Sequence, residues 1–359
     1  MSSNPKNITS LSKTAVYLVI LIIIAACQQD TAYKPKSTAA CNKDLIASPH
    51  LISVSEVHKV LQENEDLILV DVSPPNDYHQ KHLPGAQNVW RPDFRTQKKE
   101  SIQGMRCDAS ELLSLLNRLG VNDKSQLIIY DRKGAVEASR LAWVLDYYGY
   151  DDYQIMNGGL HLWQEKGLET TDQIPPIKRP SSPLNWIPKE DNAIVATLED
   201  VERAIRDSMT ILLDTREPYE YLGQPFLAKD KLYKHKKGAH THGCIPTARH
   251  LNWSALVDLN NDHRLKCHKD LIFNLNQNGV TPEKQIIVYC QSGSRSSHTA
   301  FVLSHILGYP RVKNYDGSWI EWSLAYMQKG AVEIEQKTDD NVIKDMMHQL
   351  ESKISNNNG

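Results

Sequence analysis

Two stretches of the chain lie over one another without a gap: "QLIIYDRKGAVEASRLAWVLDYYGYDDYQIMNGGLHLW" (residues 126–163) and "QIIVYCQSGSRSSHTAFVLSHILGYPRVKNYDGSWIEW" (285–322). Each reads as a run of β-formers, a polar loop with glycine in the same place, a helical stretch ending in Gly-Tyr, and a glycine-containing turn before tryptophan. The offset is constant at 159 residues. Upstream, "LILVDVS" around Asp71 pairs with "TILLDTR" around Asp214, only 143 residues apart, so the second copy carries 16 extra residues, placed in "LGQPFLAKDKLYKHKKGAHTHGC" (222–244). The chain is a tandem duplication, and internal repetition of this kind outranks any local reading.

Each copy alternates strands with helices. Residues 67–72 and 211–215 are short unbroken apolar runs, as expected of strands buried on both faces of a parallel sheet. "ASELLSLLNRLGV" spaces its apolar residues as one helix face and stops at Gly120. This predicts an α/β protein of two tandem domains, each a central parallel sheet flanked by helices. The domains fall at 49–170 and 191–330, joined by a proline-rich linker at 171–190 that reads as stiff and extended. From 331 to 359 the chain is a polar tail in which "NVIKDMMHQLESKI" has one apolar helical face.

Composition limits the partners. Of 359 residues, 41 are Lys or Arg and 43 are Asp or Glu, a formal net charge of -2 that gives no electrostatic footprint for nucleic acid. The N-terminus is different. Lys6 and Lys13 precede an apolar run from Ala15 to Ala26, shorter than the roughly 20 residues a spanning helix needs, and the run ends "IAAC". That ending resembles the lipobox of bacterial lipoproteins. The resemblance implies a signal peptide at 1–26, lipidation of Cys27, a polar tether at 27–48 and a place on the periplasmic side of a bacterial cell envelope. Gln28 after the cysteine points to the outer membrane, and an uncleaved signal anchor is the alternative.

"YHQKHLPGAQNV" (78–89) and "VKNYDGSWIEW" (312–322) resemble the N-terminal and C-terminal signatures of the rhodanese sulfurtransferases, over roughly residues 49–330. In that family the catalytic cysteine sits in a six-residue loop between a strand and a helix, which here is Cys290, Gln291, Ser292, Gly293, Ser294 and Arg295, with Ser296 opening the helix. The physical reading agrees. A cysteine there faces backbone N–H groups with no intrahelical partner, and those donors with the helix dipole favour a thiolate or the sulfur it carries. Gly293 supplies the positive φ that lets amides converge. Arg295 and Arg216 are expected to hold an oxyanion donor, although Arg216 is equally suited to a structural ion pair with Glu217. Asp214 reads as a hydrogen-bond fixture, and Trp319 and Trp322 as packing.

The resemblance implies sulfur transfer from thiosulfate or a similar small anion to cyanide or a thiol, through a persulfide on Cys290, with neither cofactor nor metal. In the first copy Asp131 replaces the cysteine, so that domain is read as inactive. The second copy has "CIPTA" (244–248) where the first has "HLPGA", and its loop matches neither the thiosulfate nor the mercaptopyruvate type, which leaves the donor open. A sulfur carrier without turnover remains an alternative. A rhodanese-fold phosphatase is disfavoured, because Cys290 and Arg295 are separated by four residues rather than five. Export predicts the disulfides Cys41–Cys107 and Cys244–Cys267. The spacing of "HTHGC" and "KCHK" fits no standard zinc finger.

Overall fold

The computed structural model describes residues 48–328 apart from 65, 99–100, 177–181, 229–230 and 234. The signal segment, Cys27, the tether, Cys41, the middle of the linker and the C-terminal tail lie outside the described residues.

The first half runs β1 (Leu51–Ser53), α1 (Val54–Glu63), β2 (Leu67–Val72), α2 (Pro75–Gln80), β3 (Gln87–Val89), α3 (Ala109–Leu119), β4 (Gln126–Tyr130), α4 (Val136–Tyr147), β5 (Tyr153–Asn157) and α5 (Gly159–Glu165). The second runs β6 (Val195–Ala196), α6 (Leu198–Ala204), β7 (Thr210–Asp214), α7 (Pro218–Tyr221), β8 (Phe226–Ala228), β9 (Lys231–Tyr233), β10 (Arg249–His250), α8 (His268–Gln277), β11 (Gln285–Tyr289), α9 (Ser294–Phe301), β12 (Val312–Tyr315) and α10 (Ser318–Gln328). The sheets are parallel, ordered β1-β5-β4-β2-β3 and, read from the corresponding edge, β6-β12-β11-β7-β10. These are the same topology, as the duplication requires. The extra residues of the second copy include an antiparallel β8–β9 hairpin.

Local chemistry explains the elements. All six residues of β2 are buried, so the apolar run serves two faces. Helix α3 starts at a capping box between Asp108 and Glu111 and ends where Gly120 takes φ 80°, closing the helix in the left-handed region. The linker residues that are described return along the first domain: Asn185 and Lys189 donate their N–H groups to Asp123 Oδ1 and the Tyr148 carbonyl.

The halves meet through α4 and α9, and one apolar core runs across both, joining Ala138, Leu141 and Val144 to Leu256, Ala300 and Phe301. Helix α9 is short of apolar residues yet buried, because its small hydroxyls turn back on the helix. Ser297 Oγ donates to the Gly293 carbonyl at 2.7 Å and Thr299 Oγ1 to the Arg295 carbonyl at 3.4 Å.

The contact between halves repeats the 159-residue offset. Asn157 Oδ1 accepts the N–H of Leu265 at 2.9 Å, and Asp316 Oδ2 accepts the N–H of Arg106 at 3.0 Å, so each domain hangs a loop of its partner on the C-terminal end of its own last sheet strand. On the Asp316 side the carboxylate also takes Arg140 Nη2 at 2.6 Å and Arg106 Nη1 at 3.1 Å. Arg140 is fully buried, and Asp316 nearly so. Removing one member of such a pair strands the other charge. Asp316→Asn is therefore expected to lower unfolding free energy by roughly 3–5 kcal/mol in denaturant titrations. A loss under about 1 kcal/mol, the value of a surface pair, would contradict this account.

Candidate active site

Strand β11 ends at Tyr289 and α9 begins at Ser294, so the backbone must turn within four residues. Gly293 makes the turn at φ 90°, and an added Cβ there would meet Arg140 Nη1 at 2.7 Å and Asp316 Oδ1 at 3.0 Å. The turn after β12 clamps the strand end. Cys290 N–H donates to Ser318 Oγ at 3.2 Å, and the N–H of Trp319 returns to the Cys290 carbonyl at 3.0 Å. This is what the "YDGSW" segment does for the loop.

Cys290 is buried, and its sulfur accepts the Gly293 N–H at 3.2 Å and the Ser296 hydroxyl at 3.6 Å. Burial alone would raise the thiol pKa. The nearby Arg295 charge, the amide and hydroxyl of Ser296 and the amide of Ser292 reverse this and hold it below its ordinary value. The described geometry is a pocket for a sulfur anion made of amides, a hydroxyl and a nearby guanidinium.

The arginines expected to seize the donor are both committed within their own domain. Arg295 is held bidentately by Glu220, at 2.5 and 3.0 Å, with Lys236 on the same carboxylate. Burial would raise the Glu220 pKa, but Arg295 and Lys236 bring it down to about 2. Arg216 is buried and paired with Asp214 at 2.6 Å, not with Glu217; it also donates to the Gly243 carbonyl at 2.7 Å and stacks on Trp319 at 4.5 Å. Asp214 is thus the fixture of Arg216. Trp319 is packed, its Nε1 donating to the Thr241 carbonyl, and Trp322 is buried against Tyr326. Gln291 Nε2 donates to the Lys237 carbonyl at 3.3 Å, and Ser292 packs against Gly104 of the first domain, where a Cβ would come within 2.7 Å.

Four residues that sequence reasoning missed lie around the loop, all from the first domain. Arg95 Nη2 donates to Ser294 Oγ at 2.5 Å; Arg91 is paired with Glu137, and Arg106 and Arg140 with Asp316. For Arg91, Arg95 and Arg106 the only local signal was the density of basic residues in "RPDFRTQKKESIQGMR" (91–106), a stretch that reads in isolation as a solvated loop, and for Arg140 there was none.

The loop of the first domain shows what the cradle can do. Asp131 stands where the cysteine would be, and its carboxylate takes the N–H groups of Lys133 and Ala135 (2.9 Å each), Glu137 (2.7 Å) and Ala138 (3.3 Å). Burial nevertheless pushes its pKa up to about 6 against those four amides. The loop carries its anion as part of the chain, and Arg132 is bound to the carbonyls of Asp77 and Lys81.

The expected disulfides are corrected. Neither Cys107 nor Cys244 is in a disulfide, and Cys267 is disulfide-bonded to neither of them. Cys107 is buried with its carbonyl bonded to Tyr148, which leaves it a core residue. Among the described residues no cluster of His, Cys, Asp and Glu is arranged to hold a metal ion, and no helix is long and apolar enough to cross a membrane.

Comparison with known proteins agrees with this architecture. The rhodanese-like domain model matches residues 53–166 and again 197–325. The sulfur carrier protein TtuD of Thermus thermophilus is 34% identical over 269 residues, which is 74% of this chain and 87% of TtuD. A thiosulfate sulfurtransferase of Azotobacter vinelandii is 32% identical over 289 residues, covering 78% of this chain and 96% of the relative. Among solved structures, the anaerobic ergothioneine biosynthesis enzyme of Chlorobium limicola shares the fold, with a TM-score of 0.63 at 21% identity over 77% of this chain and 68% of that one. The chain belongs to the rhodanese-like family.

Since Arg295 is the leading cation acting on the thiol, Arg295→Gln is expected to raise the Cys290 pKa, read from the pH dependence of Cys290 alkylation mapped by mass spectrometry. A thiol that titrates at the same or a lower pH in the variant would contradict the assignment.

Proposed function

We propose that this sulfurtransferase carries sulfane sulfur as a persulfide on Cys290 and passes it from thiosulfate, or a similar donor anion, to cyanide or a thiol. The observation behind this is the buried sulfur of Cys290 inside a ring of donors that favours its anionic form. The thiolate attacks the outer sulfur of thiosulfate; a sulfur–sulfur bond forms to Cys290 as the donor's own breaks, and sulfite leaves with the electron pair. Cyanide then attacks the terminal sulfur, thiocyanate departs, and the thiolate returns. The amides of the loop stabilise negative charge on whichever sulfur bears it. No general base is needed for a thiol already poised to ionise.

The relatives support the activity: the Azotobacter protein is named a thiosulfate sulfurtransferase, and a Mycobacterium tuberculosis protein, 33% identical over 268 residues, a putative one. The name of the Thermus relative favours a second reading, in which the persulfide is handed to a protein and small acceptors turn over poorly. A phosphatase fits less well, because Arg295 is spent on Glu220 rather than left for a phosphate. We also propose, on the N-terminal sequence alone, that Cys27 is lipidated and that the protein works at the periplasmic side of the cell envelope.

In the soluble chain from residue 28, thiosulfate should add about 32 Da at Cys290, the mass of one sulfur atom, and cyanide should remove it with release of thiocyanate. Cys290→Ser should show neither. An adduct that forms but resists cyanide and small thiols would favour the carrier; no adduct from any sulfane donor would overturn the proposal.

A further inference from the structure

The cations that the second domain brings to the loop are matched by its own carboxylates, three against three. Arg216 has Asp214, and Arg295 and Lys236 have Glu220, with Glu217 3.9 Å from Arg295. The first domain does not balance in this way. Its Arg91 is paired with Glu137, while Arg106 and Arg140 share the single carboxylate of Asp316. Arg95 has no carboxylate partner among the described residues: its one side-chain bond is the neutral Ser294 hydroxyl, and its Nε is shut off from solvent without an acceptor. Positive charge therefore exceeds negative at this loop, and the excess comes from the other domain.

Arg95 also touches the loop that carries the reacting sulfur, through Ser294. The Cys290 charge stabilises the guanidinium, and Ser294, which it holds, is the residue that opens α9. Burial, with Arg140 and Arg91 nearby, brings its pKa down to about 10, the behaviour of a cation that lacks an anion. A guanidinium with an unused buried N–H is built to take a planar or tetrahedral oxyanion.

Building on the sulfurtransferase reading, we infer that Arg95 of the first domain, and not Arg216 or Arg295, binds the anionic head of the sulfur donor. The donor class follows: a small molecule with a sulfonate-type head next to its transferable sulfur, such as thiosulfate or a thiosulfonate. The first domain is then part of the active site, supplying the charge that selects the donor while the second supplies the nucleophile. Losing Arg95 strands no buried carboxylate, so its variants should fold.

The test separates binding from chemistry. In a Cys290→Ser background, thiosulfate affinity measured by calorimetry should fall about tenfold or more with Arg95→Gln and be partly restored with Arg95→Lys, as expected for loss of a charge-assisted hydrogen bond. In the protein with Cys290 intact, Arg95→Gln should lower, by a similar factor, the ratio of the Cys290 modification rates with thiosulfate, which leaves a persulfide as sulfite departs, and with uncharged dimethyl trisulfide, which leaves a methylated mixed di- or trisulfide as a methyl persulfide anion or methanethiolate departs. Unaltered thiosulfate affinity, or an equal loss with both donors, would overturn the inference. Arg95-dependent binding without any persulfide in the parent protein would instead refute the sulfurtransferase reading and leave the anion subsite standing.

Discussion

The turn from a buried strand into a helix gathers backbone N–H groups that have no carbonyl to bond, and something negative must sit among them. Both halves of this protein are organised around that demand. In the first, the Asp131 carboxylate takes four amides and satisfies the turn permanently. In the second, the occupant is the Cys290 sulfur, which accepts the Gly293 N–H at 3.2 Å and the Ser296 hydroxyl at 3.6 Å, with the amides of Ser292 and Ser296 also acting on it. A carboxylate meets the demand with four bonds from the backbone; the sulfur meets it with fewer and longer ones.

The duplication gives this turn a second use. The hook at the end of the last sheet strand, Asn157 in one copy and Asp316 in the other, holds a backbone N–H of the opposite domain, so the interface inherits a two-fold logic from the repeat. The substitution of Asn by Asp on one side breaks the symmetry. Only Asp316, of the two, carries the charge that holds Arg106 and Arg140, and these sit beside the Cys290 loop. The two copies are therefore unequal at two matched positions, Asp131 against Cys290 and Asn157 against Asp316.

Much of this was legible in the sequence. The repeat offset, the glycine of the loop and the cysteine after a run of β-formers are local features, and local features survive translation into structure; hence the fold class and the setting of Cys290 could be read. Arg216 was ambiguous because sequence shows a neighbour, Glu217, but not the side-chain fork that closes on Asp214 two residues back. Arg95, Arg106 and Arg140 could not be assigned at all, since their partners lie about 175–210 residues away in a loop or a carboxylate of the other domain. The cysteines were misread for a related reason. Export argues that disulfides exist, but pairing is set by Cα separations that a sequence does not contain, and Cys107 was in the core instead.

The central claim is that sulfur leaves the donor before any acceptor arrives, and the most direct measurement is sulfite release in a single mixing of protein with excess thiosulfate and no acceptor. The account predicts a burst of about one sulfite per protein molecule, absent in Cys290→Ser, followed by arrest until cyanide is added, as covalent two-step transfer requires. Sulfite released only when acceptor is present would mean direct transfer between the two small molecules, and would contradict a persulfide held in the cradle.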